Sequence, residues 1–475
     1  VTMLRQHFMD LPCRHALYTK AWAIKTHTEI SMPALSRSFA RTSIMAALLA
    51  LASPSSPLAN EFSDSFHVSA FGTLGLTHND NPSAGILTSF AQKKPAEEGW
   101  SPNLDSVLGL QLEWRPLEST SVVVQGAARA GDDLKPMLRM AFLRQDLGHG
   151  FSARVGRMRS PLYFDSDVTE IGYAYLMTRP PIPLYGIANT VSYIDGVDIQ
   201  WRNNIANAVV LAQGYYGKSG YTHYLRNFDS EADANLEGIH GLAISLITPH
   251  VTLRASRTWA NEYTLRSDAI TQLNQGTVLL GGGLRAMASN PLLPAGMAAA
   301  LLHKAQQVEG FANPYDNSPV YTSLGFDATV DAWQLLGEAT QFDSQSQMVG
   351  KYEGYQLTLG YNFDEFTPFV SIAKQRRKGD SLDLSSLAPT GLDPTIDAGL
   401  SQMQAGLAQA SQYADISSRS YSLGVRWDFH NNMALKLQYD RIETPSAWTP
   451  GPFAVTTLPI DNKVNLFTAT LDFAF

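Results

Sequence analysis

From residue 66 onward the chain keeps a period of two. Phe66, Val68, Ala70, Leu74 and Leu76 alternate with His67, Ser69, Thr73 and Thr77. Leu108, Leu110, Leu112 and Trp114 alternate with Gly109, Gln111 and Glu113, and Tyr355, Leu357, Leu359, Tyr361 and Phe363 with Gln356, Thr358, Gly360 and Asn362. An apolar face opposite a polar one at every second residue marks a strand with two different surroundings. The pattern predicts sixteen strands, over 66–77, 103–114, 119–129, 135–145, 151–158, 194–203, 206–217, 238–247, 249–259, 319–330, 332–341, 350–361, 366–376, 418–429, 432–442 and 463–475. Most are longer than the roughly five or six residues of a soluble strand. They match the ~9–11 that a tilted strand needs to cross a bilayer.

The connections carry a second pattern. After even-numbered strands they are short, such as "RPLE" (115–118), "LGHG" (147–150) and "NN" (431–432). After odd-numbered strands they are longer: 78–102, 130–134, 159–193, 218–237, 260–318, 342–349, 377–417 and 443–462. Sorting by parity belongs to a transmembrane antiparallel β-barrel with short periplasmic turns and long outer loops. In a bilayer every backbone N–H and C=O must be paired within the protein, so the last strand must join the first. "NLFTATLDFAF" (465–475) is suited to closing such a ring, because Phe467, Ala469, Leu471, Phe473 and Phe475 form one apolar face. Trp114, Trp201, Tyr361, Phe363, Trp427 and Phe429 fall at strand ends on the lipid face, where aromatic girdles belong. Two long loops contain Ala/Gln-rich stretches, within 267–309 and 381–414, that predict helical lids over the mouth.

Composition narrows the field. The net charge of −8 argues against nucleic acid as a partner, and the mean hydropathy of −0.12 is not that of a helical membrane protein. "RSFARTSIMAALLALASPSSPLA" (37–59) has the basic start, short apolar core and small-residue end of a secretory signal peptide. Residues 1–59 are therefore expected to be presequence and signal peptide, with translation starting at Met32 or Met45, and 60–475 a single barrel domain. The only cysteine, Cys13, precedes the signal peptide, so disulfides, thiolate zinc sites and thiol catalysis are not expected. No catalytic constellation stands out. Ser160 and Asp165 lack a histidine in a nucleophile-elbow context, Gly281–Gly283 lack the lysine of a phosphate loop, and His223, His240, His250, His303 and His430 lack ligand spacing. Neither enzyme activity nor a metal or other cofactor is expected.

The C-terminal strand ending in Phe475 resembles the signal that Gram-negative outer-membrane porins present to the barrel-assembly machinery, carried here by Phe467, Leu471, Phe473 and Phe475. "ARVGRMRSPLYFDSDVTEIGYAYLMTRPPIPLYG" (153–186), followed by "YIDGVDIQW" (193–201), is similar to the region of trimeric porins where the fifth strand leads into a third loop folded into the lumen. The resemblance implies a homotrimer in the outer membrane, in contact with lipid and lipopolysaccharide, that passes small hydrophilic solutes and ions by passive diffusion. The long loop 260–318 departs from the simplest porins.

If the apolar face meets lipid, its alternates line the channel. Glu113, Gln125, Arg129, Arg139, Arg154, Asp198, Arg202, Arg254, Asp327, Glu338, Arg426, Lys436 and Asp440 then point inward. A constriction is expected where Asp165, Asp167 and Glu170 of the third loop face Arg154, Arg157, Arg254, Arg426 and Lys436 of the wall, setting a transverse field. An alternative is a substrate-specific channel whose loops 260–318 and 377–417 form a binding vestibule. A secreted soluble β-sandwich would have no reason to sort its loops by parity.

Overall fold

A computed structural model describes residues 65–226, 230–379 and 382–475; the segment 1–59 read as presequence and signal peptide lies outside the described residues. Sixteen long strands follow one another: β1 (Phe66–Asn79), β2 (Val107–Leu117), β3 (Thr120–Arg129), β4 (Pro136–Gly148), β5 (Phe151–Arg159), β6 (Tyr193–Ile205), β7 (Ala208–Leu225), β8 (Ser230–Ile247), β9 (Val251–Trp259), β10 (Val320–Val330), β11 (Trp333–Asp343), β12 (Lys351–Tyr361), β13 (Phe366–Lys378), β14 (Ser418–His430), β15 (Met433–Glu443) and β16 (Lys463–Ala474). All sixteen predicted strands are present.

Each strand pairs antiparallel with its sequence neighbours, and the ends meet. Phe66 of β1 lies opposite Trp114 of β2, while Phe71 and Asn79 lie opposite Ala474 and Leu466 of β16. The sheet is thus closed, and its sixteen long strands leave no open edge. The expectation that the last strand completes the ring holds almost to its final residue, because Phe475 N–H donates to the Ala70 carbonyl.

Alternation decides which face is which. On β16, Phe467 is 51% exposed, whereas Asp472 is 0% exposed. Leu108, Leu110, Leu112 and Trp114 of β2 point out, while Gln111 and Glu113 are buried. One end carries a ring of outward aromatic pairs: Phe66–Trp114 (5.9 Å), Phe151–Trp201 (6.4 Å), Trp333–Tyr361 (4.7 Å), Phe366–Trp427 (5.6 Å) and Phe473–Phe475 (5.9 Å).

That is also the end of the short turns, at 118–119, 149–150, 206–207, 248–250, 331–332, 362–365 and 431–432. His149, Ala206, Asp331 and Asp364 take positive φ there, as tight turns matched to the strand twist require. The opposite, loop end corrects one expectation. The connection between the seventh and eighth strands is not a long loop over 218–237. β7 and β8 continue as a hairpin, with Tyr221 opposite Ala234 and Leu225 opposite Ser230. Short and long connections therefore do not alternate without exception. The physical reason lies in "SEADANLE" (230–237): Ala232, Ala234 and Leu236 are buried under the loop-end segments, while Glu231, Asp233, Asn235 and Glu237 are exposed. The acids make a period-two stretch look like solvated loop.

Among the described residues, four helices sit in the loop-end connections: α1 (Ile182–Ala188), α2 (Asp268–Ala288), α3 (Ala295–Glu309) and α4 (Pro394–Tyr413). The Ser267 hydroxyl accepts from Ile270 N–H to cap α2, and the Asp393 carboxylate accepts from Thr395 and Ile396 N–H to cap α4, satisfying donors that a helix start leaves free. Leu284, Leu301, Ala305, Val308, Leu400 and Leu407 join α2, α3 and α4 in one buried cluster, away from the barrel wall.

Candidate pore interior and mouth

The connection 160–192 between β5 and β6 does not stay at the loop end. Its polar contacts reach inward-facing residues around much of the ring. The Ser256 hydroxyl of β9 donates to Leu162 O (2.6 Å), and Arg254 of β9 donates to Asp167 (2.6 Å). The Glu338 carboxylate of β11 accepts from Phe164 N–H (2.9 Å), Ser323 (2.6 Å) and Tyr185. Gln438 of β15 accepts from Thr178 N–H (2.9 Å), and Tyr173 donates to the carbonyl of Asn431 in the turn joining β14 and β15 (2.7 Å). The segment therefore descends as far as the turn end. Gly172 permits its closest approach: a Cβ there would lie 2.2 Å from Thr73 Oγ1 and 2.3 Å from Asp472 Oδ1.

Five of the eight residues expected to form a constriction fall into three groups. Asp167 and Arg254 meet directly. Glu170 is met not by the expected bases but by Arg129 (2.7 Å), Arg139 (3.4 Å) and Arg159 (3.3 Å). Arg426 and Lys436 hold the segment's backbone: Arg426 donates to Tyr173 O (2.7 Å) and Tyr175 O (2.5 Å), and Lys436 to Gly172 O (2.7 Å) and Met177 O (2.9 Å). Lys436 also pairs with Asp472 (3.0 Å).

Arg154 points inward but lies opposite Asp198 in register and pairs with it. Arg157 is different. It pairs with Asp195 of β6 (2.7 Å) and stacks over Tyr193 (3.8 Å), on the face that also carries Val155 and Val197. Val155 and Val197 are exposed on the outside, so Arg157 does not face the interior; Gly156 and Met158 do. Asp165 is buried at the segment's first turn, before Ser166–Val168.

Arg179 escaped the sequence reading. It pairs with Asp105 (2.7 Å) and Asp440 (2.9 Å) and donates to Thr468 (2.7 Å), joining the segment to β15, β16 and the first loop. It sits in "TRPPIP" (178–183), which has no period to reveal its direction. Among its partners, strand parity turns Asp440 and Thr468 inward.

Above the interior, the loop-end connections enclose a cavity of about 240 Å³. Its walls come from the first and third loops, the β7–β8 hairpin, the connections 260–319, 344–350 and 444–462, and the end of α4. The lining is mostly apolar and aromatic. Tyr221 and Tyr263 share a hydrogen bond between their hydroxyls (3.2 Å), and burial pushes the Tyr221 hydroxyl up to about 12. His223 stacks on Phe90 (5.8 Å). Burial, with Arg226 nearby, pushes its imidazole down to about 4, so it is neutral at pH 7. The sequence predicted a vestibule from the lengths of two loops; nothing periodic in those loops named the aromatic residues that line it.

No family model matches the chain, and no curated protein does. Among solved structures it is similar to OmpF of Salmonella typhi in complex with daunomycin, at 10% identity over 86% of this chain and 97% of that one, with a TM-score of 0.48. It is similar to the outer membrane channel DcaP of Acinetobacter baumannii at 8% identity, over 87% and 98%, with a TM-score of 0.46. The corresponding figures for OprB of Pseudomonas putida are 9%, 88%, 96% and 0.46.

Proposed function

We propose that this chain is a channel of the outer membrane of a Gram-negative bacterium. In this reading it is exported by its N-terminal signal peptide and handed by Phe467, Leu471, Phe473 and Phe475 to the barrel-assembly machinery. It works as a homotrimer among lipid and lipopolysaccharide, passing small hydrophilic solutes and ions down their gradients without cofactor or energy input. One observation carries the reading: the closed ring presents its apolar side chains outward and its charges inward. A water-soluble barrel would gain from the reverse. Each fully buried large apolar side chain stabilises a fold by about 1.5–3 kcal/mol, and this ring leaves Leu, Val, Ile and aromatic side chains on its outer face.

Segment 160–192 acts as the filter, held by Arg254, Arg426, Lys436 and Glu338. Asp165, Asp167 and Glu170 on the segment and Arg129, Arg139, Arg154 and Arg254 on the wall set the field that a passing ion meets. The test is conductance in a planar bilayer with asymmetric KCl. Discrete current steps with a reversal potential set by these charges are expected. A folded, inserted protein that passes no current would end the proposal.

The aromatic cavity at the loop end favours a second reading, a substrate-specific channel, over an unselective one. Liposome swelling with solutes of graded size separates the two. A solute admitted much faster than its size allows marks the specific channel; rates that follow size alone mark the unselective one.

A further inference from the structure

The cavity at the loop end has a chemistry of its own, and we infer that it binds a small planar aromatic molecule carrying one negative charge. The assignment rests on the substrate-specific reading for the route the ligand then takes, but the site itself stands on its lining. Phe90, Tyr224, Tyr263, Phe342, Tyr413 and Phe453 reach it from six different segments. Aromatic rings lining it from several sides suit a flat aromatic ligand, since offset or edge-to-face contacts can form at whichever wall it meets. The volume, about 240 Å³, lies below the ~300–1,000 Å³ typical of small-molecule sites, which favours one or two rings.

The charge follows from the same lining. Among the described lining residues there is no Asp or Glu, and Arg226 is the one permanent cation. Arg226 Nη2 donates to the carbonyls of Gln92 and Lys93, at 3.0 Å each. The guanidinium is thus oriented by two neutral acceptors and keeps its positive charge. Glu97 acts on it electrostatically without forming an ion pair. Its Nε is buried without a hydrogen-bond partner, so an added anion relieves a cost already present in the fold. His223 adds no charge at pH 7 and offers a flat neutral ring. An aromatic cation would meet Arg226 with no acid among the described lining residues to offset it. An aliphatic acid would find the charge but waste the ring faces.

The experiment titrates the purified, detergent-folded protein calorimetrically with four probes of similar size: benzoate, benzamide, benzylamine and hexanoate. Benzoate is expected to bind at least ten-fold more tightly than benzylamine or hexanoate. Arg226→Gln lowers benzoate affinity about ten-fold and leaves benzamide unchanged. Val191→Trp fills the cavity from its wall with Arg226 left in place and removes binding of both, so the inference stays testable if the arginine variant fails to fold. Benzylamine binding as tightly as benzoate, or benzoate binding undisturbed by Val191→Trp, overturns it. Benzoate current across a planar bilayer is measured on the same protein. Benzoate bound without any current keeps the site and removes the channel reading; current without benzoate binding keeps the channel and removes the site.

Discussion

Replacing Glu170 by Gln isolates the densest charge cluster in the barrel. Glu170 is 3% exposed, and its carboxylate is shared by three guanidinium groups: Arg129 at 2.7 Å, Arg159 at 3.3 Å and Arg139 at 3.4 Å. Glutamine keeps the shape and loses the charge. Three cations then face one another, offset by Asp132, 3.9 Å from Arg139, and more weakly by Asp167 acting on Arg159. Removing one partner from a buried ion pair costs about 3–5 kcal/mol. Arg129 is 23% exposed, so water screens part of that, and the lower end, about 3 kcal/mol, applies. The cost falls on the docked state of segment 160–192, because the arginines rehydrate when it lifts away. With a factor of ten for each ~1.4 kcal/mol, the open population rises about one hundred-fold. Hydrogen exchange by mass spectrometry reads this directly. The amides of Val168, Ile171, Ala174 and Tyr175 are held by bonds within the segment and should exchange about one hundred-fold faster, while those of β14–β16 keep their rates. Exchange of these four amides within three-fold of the parent, in a folded barrel, would show that the cluster does not hold the segment.

Other expected outcomes follow from single contacts. Gly172→Val puts a side chain into Thr73 and Asp472, at a cost of about 1–3 kcal/mol from overpacking; single-channel recordings should show larger or noisier current steps, and unchanged steps would count against close docking. Arg154→Glu with Arg254→Glu turns two inward cations into anions, so the reversal potential in asymmetric KCl should move toward cation preference. Phe475→Ala should lower several-fold the amount of heat-modifiable barrel recovered from outer membranes, while refolding in detergent continues. His223 sits near the loop end of β7 with a pKa of about 4 in the fold against 6.5 outside it. The unfolded hairpin therefore takes up a proton first as pH falls. The hairpin's stability is complete above pH 6.5 and declines from there toward pH 4, by about 1–2 kcal/mol at pH 5. Exchange of residues 219–236, corrected for intrinsic rates, should rise between pH 7 and pH 5, and His223→Gln should flatten that dependence.

The wall of this protein was legible because two solvents act on it. A strand with lipid on one side and polar groups on the other must alternate, and sixteen strands did so strongly enough to be located. β7 and β8 show the limit of the same logic. In the proposed membrane-spanning barrel the outer face beyond the bilayer meets water, so Glu231, Asp233 and Glu237 replace the expected Leu or Val. The period remains, but its amplitude moves from apolar against polar to small against charged, and the strands read as a loop. Boundaries elsewhere shifted by a few residues at both ends of the barrel; at the loop end, as where β1 runs on to Asn79, both faces tolerate polar side chains.

Parity says on which side of the wall a charge sits, and there its information ends. Arg154, Arg254, Arg426 and Lys436 share a face and a chemistry, yet the structure gives them different roles. Arg154 is neutralised sideways by Asp198, Arg254 by the inserted segment, and Arg426 and Lys436 by Asp428 and Asp472 on the wall, while both also donate to carbonyl oxygens of Tyr173, Tyr175, Gly172 and Met177. The difference lies in the course of residues 160–192, with short helical turns and no long periodic element. A buried backbone without regular structure must find donors and acceptors on the wall, so the wall's charges are assigned by wherever that backbone passes. Arg157 makes the converse point. It has the parity of Val155, which is exposed on the outer face, and so it stands outside and binds Asp195 however close it lies in sequence to the inserted segment. In such a barrel an inward arginine is evidence for a wet or polar interior, but its role as selector or as anchor is written in the loop it meets.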